Sequence, residues 1–154
     1  MLKIVRNILL VATATAITLL AADPIVGTWK LNVAKLKFTP GPAPKSQTNT
    51  YTSDGDWIIG KNEVVNADGK VTVANRRYKR DGKEYPYQSM TGESGTIVNK
   101  ALDANTFEST IKAGKQAGTT RTVVSKDGKN FTRTIKGTDP QGRQVDNVLL
   151  FEKQ

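Results

Sequence analysis

The sequence predicts an all-β protein, an antiparallel up-and-down meander of about eight to ten strands closed into a barrel. Three observations carry this. Asp-Gly pairs recur at Asp54-Gly55, Asp68-Gly69, Asp81-Gly82 and Asp127-Gly128, and both residue types suit tight hairpin turns. Between them lie short runs rich in Thr, Val, Ile, Tyr and Phe, and nothing after residue 22 sustains a helical apolar period. The connections are almost all hairpin-length. A sandwich would need longer crossovers, and a long open meander would leave two edges exposed.

The chain begins with an expected export signal, residues 1–22. Lys3 and Arg6 give a positive start, residues 8–20 are apolar apart from threonines, and Ala21-Ala22 supplies a small-residue exit before Asp23-Pro24. A spanning helix takes roughly 20 apolar residues, and this run is shorter. Cleavage after Ala22 is therefore expected, with no stable membrane insertion afterwards. The destination would be periplasmic or extracellular. No Cys occurs, so attachment through a lipidated cysteine is excluded.

Residues 23–154 then form one domain. The full chain carries 23 basic and 14 acidic residues, a net +9; without Lys3 and Arg6 the balance is 21 to 14, or +7. Such a domain attracts anionic partners, although export argues against nucleic acid.

Strands are expected near 25–33, 46–53, 57–66, 71–79, 84–90, 96–102, 106–113, 119–125, 130–138 and 144–152. Residues 34–45 hold three prolines, too many for a regular helix, with Leu36 and Phe38 as an apolar anchor; the segment should cross one barrel end. Alternate residues point to opposite faces of a strand. Ile25, Gly27, Trp29, Leu31 and Val33 therefore share an inner face. Phe107 and Ile111 take Ser109 inward with them. Phe131 and Ile135 take Arg133, Leu149 and Phe151 take Asn147, and Tyr51 lies with Asn49 and Gln47. Buried polar groups cost free energy unless paired, so these inward residues favour a partly polar cavity over a solid core. The run Arg76-Arg77-Tyr78-Lys79-Arg80 is the densest basic cluster. As an anion-contact site it would be halved by strand alternation, and it is assigned to a solvated hairpin end.

Gly27-Thr28-Trp29 on the first strand resembles the Gly-x-Trp signature of lipocalins. Gly27 to Asn32, the Pro-rich stretch to Pro44 and the closing Leu150-Phe151-Glu152-Lys153-Gln154 resemble small exported bacterial lipocalin-like proteins. The resemblance implies a calycin-type barrel holding a small apolar or amphipathic molecule. It also implies that Trp29 closes one end, with an Arg from a late strand packed across it. Arg133 and Arg121 are the candidates, Arg133 being preferred for its face. The family disulfide is absent, and ten strands fit the fatty-acid-binding branch better than the eight-stranded one.

Catalysis has little support. With no His and no Cys, the commonest general base, the thiol nucleophile and His/Cys metal ligation are all missing. No cofactor motif is present. The expected function is non-catalytic binding of a ligand lined by Trp29, Leu31, Tyr51, Phe107, Phe131, Arg133 and Phe151. Arg133 would either brace Trp29 or anchor a ligand carboxylate. The alternative is an envelope interaction protein whose basic exterior binds anionic polymer or lipid.

Overall fold

The computed structural model describes residues 22–89 and 91–154. Its strands are β1 (Gly27–Leu31), β2 (Ser46–Asp54), β3 (Trp57–Val65), β4 (Val71–Tyr78) and β5 (Asp81–Gln88), followed by β6 (Ser94–Ala101), β7 (Thr106–Ala113), β8 (Gln116–Val124), β9 (Asn130–Thr138) and β10 (Gln144–Lys153). One sheet runs in the order β4-β3-β2-β1-β10-β9-β8-β7-β6-β5. First and last strands meet through Trp29↔Lys153 and Leu31↔Phe151. The expected meander is therefore present, with ten strands. The expected export segment lies outside the described residues except for Ala22. Among the described residues no helix is long and apolar enough to cross a membrane.

Closure is incomplete. β4 and β5 are the two ends of the sheet order and share no hydrogen-bonded ladder. Side chains bridge this seam instead: Arg76 Nη2 donates to Tyr87 Oη at 3.3 Å, and the Trp57 and Tyr85 rings meet edge-on at 5.3 Å. Next to the seam stands Asp81-Gly82. This pair was expected to form a hairpin turn, but it lies inside β5, where the register with β6 shifts between Asp81 and Glu84. A bulge bends its strand and increases the twist.

The turns take their geometry from aspartate. Asp68, Asp81, Asp103, Asp127 and Asp139 each accept, through Oδ1, the backbone N–H two residues on. This is the local turn that Asp favours. For Asp81 and Asp103 those backbone donors are the main reason the carboxyl is held below its ordinary value.

One end of the barrel carries the start of β1, the end of β10 and the β2–β3, β4–β5, β6–β7 and β8–β9 turns. There Trp29, Phe131, Phe151, Ile25 and Val124 form a fully buried plug. Trp29 meets Phe131 edge-on at 4.9 Å, and Phe131 stacks on Phe151 at 4.5 Å. The other end receives residues 32–45. Val33–Lys35 form a single 3-10 turn capped by Asn32. Val33 is half exposed, so the inner face expected for β1 stops at Leu31. Beyond it Lys37 bridges to Val148 of β10, and Thr39 N–H donates to Asn147 Oδ1 at 2.7 Å. Leu36 and Phe38 pack on the core cluster, so the segment crosses this end as expected.

Candidate functional site

Above the plug lies an interior cavity of about 240 Å³. Its apolar wall comes from Ile25, Phe38, Ile97, Phe107, Ile111, Ile135 and Leu149. Its charged lining consists of Arg76, Arg80 and Arg133, and no Asp or Glu lines it among the described residues. Three cations around one partly buried space, with Asp23 pairing only Arg80, create a field that favours an anion.

Arg133 projects from β9 because it shares a face with Phe131 and Ile135. Its Nε donates to Thr122 Oγ1 at 3.2 Å, on the register-partner residue of β8, and its Nη2 donates to Tyr51 Oη at 3.0 Å. Its guanidinium carbon lies 5.1 Å from the Phe131 ring centroid. Tyr51 reaches across because its register partner is Gly60; a Cβ there would sit 2.9 Å from the Tyr51 ring. Two of the five guanidinium N–H bonds are spent on these partners, leaving the others for a bidentate anion.

Arg80 connects this cavity to an outer depression of about 690 Å³ at the plug end, since Arg80 and Phe107 line both. Its guanidinium sits 3.4 Å from the Phe107 centroid, and it is ion-paired with Asp23. Arg76 lies 5.0 Å from the Tyr87 centroid and bonds its hydroxyl.

Of the residues expected to line the ligand space, Tyr51, Phe107 and Arg133 line this cavity. Trp29, Leu31, Phe131 and Phe151 do not: they pack against one another in the closed core. The correction has a simple cause. Aromatic rings this close fill their own space, with Trp29 and Phe151 fully buried. Nor, among the described residues, does an arginine stack on Trp29. The cation over its ring is Lys153, at 5.1 Å, brought there by the β1–β10 register. The indole Nε1 donates instead to Ile25 O at 2.7 Å. Arg121 points outward and is exposed.

The sequence reading missed Arg76 and Arg80. Alternation within the basic run placed Arg76, Tyr78 and Arg80 on one face, and that face is the inner one. Arg77 and Lys79 take the outer face, with Arg77 over the Trp57 ring at 4.2 Å. The assignment of the whole run to solvent is thus overturned for three of its five residues.

Tyr78 lies among these arginines. Burial pushes its phenol up to about 12, with neighbouring Tyr51 adding to the rise, while Arg80, Arg133 and Arg76 pull the other way. A raised folded value means that the folded protein holds the proton more tightly than the unfolded chain. Its contribution to stability is complete below the ordinary value of 10.0 and is lost as pH rises from there towards 12. Denaturation at stepped pH should show this alkaline loss in the wild type. In Tyr78→Phe it should be smaller; an unchanged profile would contradict the assignment.

No family model matches this chain, and no curated protein matches it. Solved structures do. A Schistosoma mansoni fatty acid binding protein in complex with arachidonic acid superposes with a TM-score of 0.62 at 14% identity, covering 85% of this chain and 96% of that one. The zebrafish ileal bile acid-binding protein complexed with cholic acid gives 0.59 at 15%, covering 85% and 99%. The fluorescent protein UnaG gives 0.62 at 16%, covering 84% and 97%. At these identities the likeness is one of fold: a ten-stranded barrel of the fatty-acid-binding-protein type.

Proposed function

We propose that this protein is an exported, non-catalytic carrier that takes a small amphipathic anion into its barrel, with Arg133 as the anchor for the acidic group. The observation that carries this reading is the interior lined by three arginines and no carboxylate. Gathering cations in a partly buried space is costly, and a site that keeps them there gains when an anion enters. The apolar wall would take the ligand's body. The fold neighbours solved with arachidonic acid and cholic acid, both carboxylic acids, are consistent with such a use of this barrel.

A basic exterior acting on polyanions is the weaker reading, because the densest basic run sends two of its four cations inward. Export rests on the composition of residues 1–22, and the mature chain would begin at Asp23, whose carboxylate pairs with Arg80.

Native mass spectrometry of the protein purified from its own host tests the proposal. The expected result is a chain mass starting at Asp23 and a co-purifying small acid released on denaturation. A bare protein that also takes up no octanoate in calorimetry would end the carrier reading. Binding that collapses with added salt would move the site to the surface, since exposed charges are screened far more than interior ones.

A further inference from the structure

The polar lining of the cavity does not end at Arg133. In the ten-stranded ring β9 and β4 stand five strands apart, on opposite walls. Arg133 projects from the first and Arg76 from the second. Around Arg76, the wall made by β3, β4, β5 and β6 presents Asn62, Tyr87 and Asn99 to the same space.

This second wall has hydrogen-bonding capacity that the protein does not use. Arg76 Nη2 is spent on Tyr87 Oη, which in turn reaches Gln116 Oε1 at 3.5 Å. Arg76 Nε is buried with no partner among the described residues. Asn99 Oδ1 accepts from Ser109 Oγ at 2.6 Å, while Asn99 Nδ2 is buried and unpartnered. Asn99 is 2% exposed and Asn62, whose unpartnered atom is the acceptor Oδ1, is 4% exposed, so neither reaches bulk solvent. Buried donors left without acceptors destabilise a fold, and two of them on this wall, Arg76 Nε and Asn99 Nδ2, point to something that accepts from them.

A long-chain monocarboxylate fits this interior poorly. Its one acidic group would serve Arg133 and lay a hydrocarbon tail against Arg76, Asn99 and Asn62. The volume also argues against it: 240 Å³ lies below the roughly 300–1,000 Å³ of pockets that take drug-sized ligands. From the placement of the two guanidiniums we infer that the barrel is a two-pole site for a compact dianion, a short dicarboxylate in its simplest form. Arg133 with Tyr51 and Thr122 holds one acidic group. Arg76, with Asn99 beside it, holds the other. The apolar residues between them cover the spacer. This inference rests on the anion-carrier reading and narrows it.

The test compares octanoate with octanedioate, which differ only in the second carboxylate. In an apolar cavity the added charge weakens binding, because it must be desolvated. Here octanedioate should bind the wild type at least about 10-fold more tightly than octanoate. Arg76→Met should abolish that advantage, weakening octanedioate at least about 10-fold more than it weakens octanoate. Asn99→Asp gives a second, near-isosteric check: a carboxylate on the second wall should weaken octanedioate much more than octanoate. If octanoate binds and octanedioate binds equally or less well, the two-pole inference is wrong while the carrier reading stands. If neither binds, both are wrong. An advantage for octanedioate that survives both substitutions also overturns the inference, because the second acid then sits elsewhere.

Discussion

Replacing Arg133 with methionine is expected to raise the stability of the ligand-free protein while nearly abolishing anion binding. The opposite signs follow from one arrangement. Arg133 is a part-buried cation whose partners, Thr122 Oγ1 and Tyr51 Oη, are neutral oxygens. Two further arginines share its cavity, and no carboxylate lines it among the described residues. An apolar side chain of similar length removes the desolvation cost and the mutual repulsion. Tyr51 loses a donor but keeps a hydroxyl able to bond water. For a bound carboxylate the balance reverses. Removing one partner of a desolvated charge pair costs about 2–5 kcal/mol, or roughly 30- to 5,000-fold in affinity. Thermal denaturation of the ligand-free variant and calorimetry with octanoate measure the two effects. Octanol, of equal length and uncharged, should bind both proteins alike. Equal losses for octanol and octanoate would mean that Arg133 shapes the cavity rather than reading charge.

Much of this arrangement was legible in the sequence, and the part that was not has a common physical origin. Turn chemistry and residue type located ten strands, since both act over a few residues. Period-two alternation placed Tyr51, Phe107 and Arg133 on the inner face for the same reason. Which inward residues line a space and which fill it is decided by packing across the barrel. Trp29, Phe131 and Phe151 come from β1, β9 and β10, and their mutual contact depends on the closing register. That register also puts Lys153 over Trp29, more than a hundred residues away in the chain. The basic run shows the limit most clearly. Local composition assigns five polar residues to solvent, and alternation alone cannot say which face is inner. The return of the chain through β10 to β1 decides it.

The largest stability effect is expected at the plug. Trp29→Ala removes a fully buried indole from contact with Phe131 and Ile25. Losses of about 3–5 kcal/mol are typical for deleting a buried aromatic, because the cavity left behind collapses only in part. Against a total stability of about 5–15 kcal/mol, the variant would melt roughly 10–20 °C lower, at a few degrees per kcal/mol for a domain of this size. Two milder changes divide the effect. Trp29→Phe keeps much of the ring but strands the Ile25 carbonyl that accepted from Nε1, a cost of about 1–3 kcal/mol. Lys153→Met removes the cation over the indole, worth about 0.5–1 kcal/mol at a partly exposed site. The series also decides what Arg133 does. A brace for Trp29 would make Arg133→Met melt nearly as low as Trp29→Ala. The cation nearest the indole is Lys153, so the two variants should instead separate widely, with Arg133→Met at or above wild type. A shared low melting temperature would return Arg133 to the core and leave the cavity without its anchor.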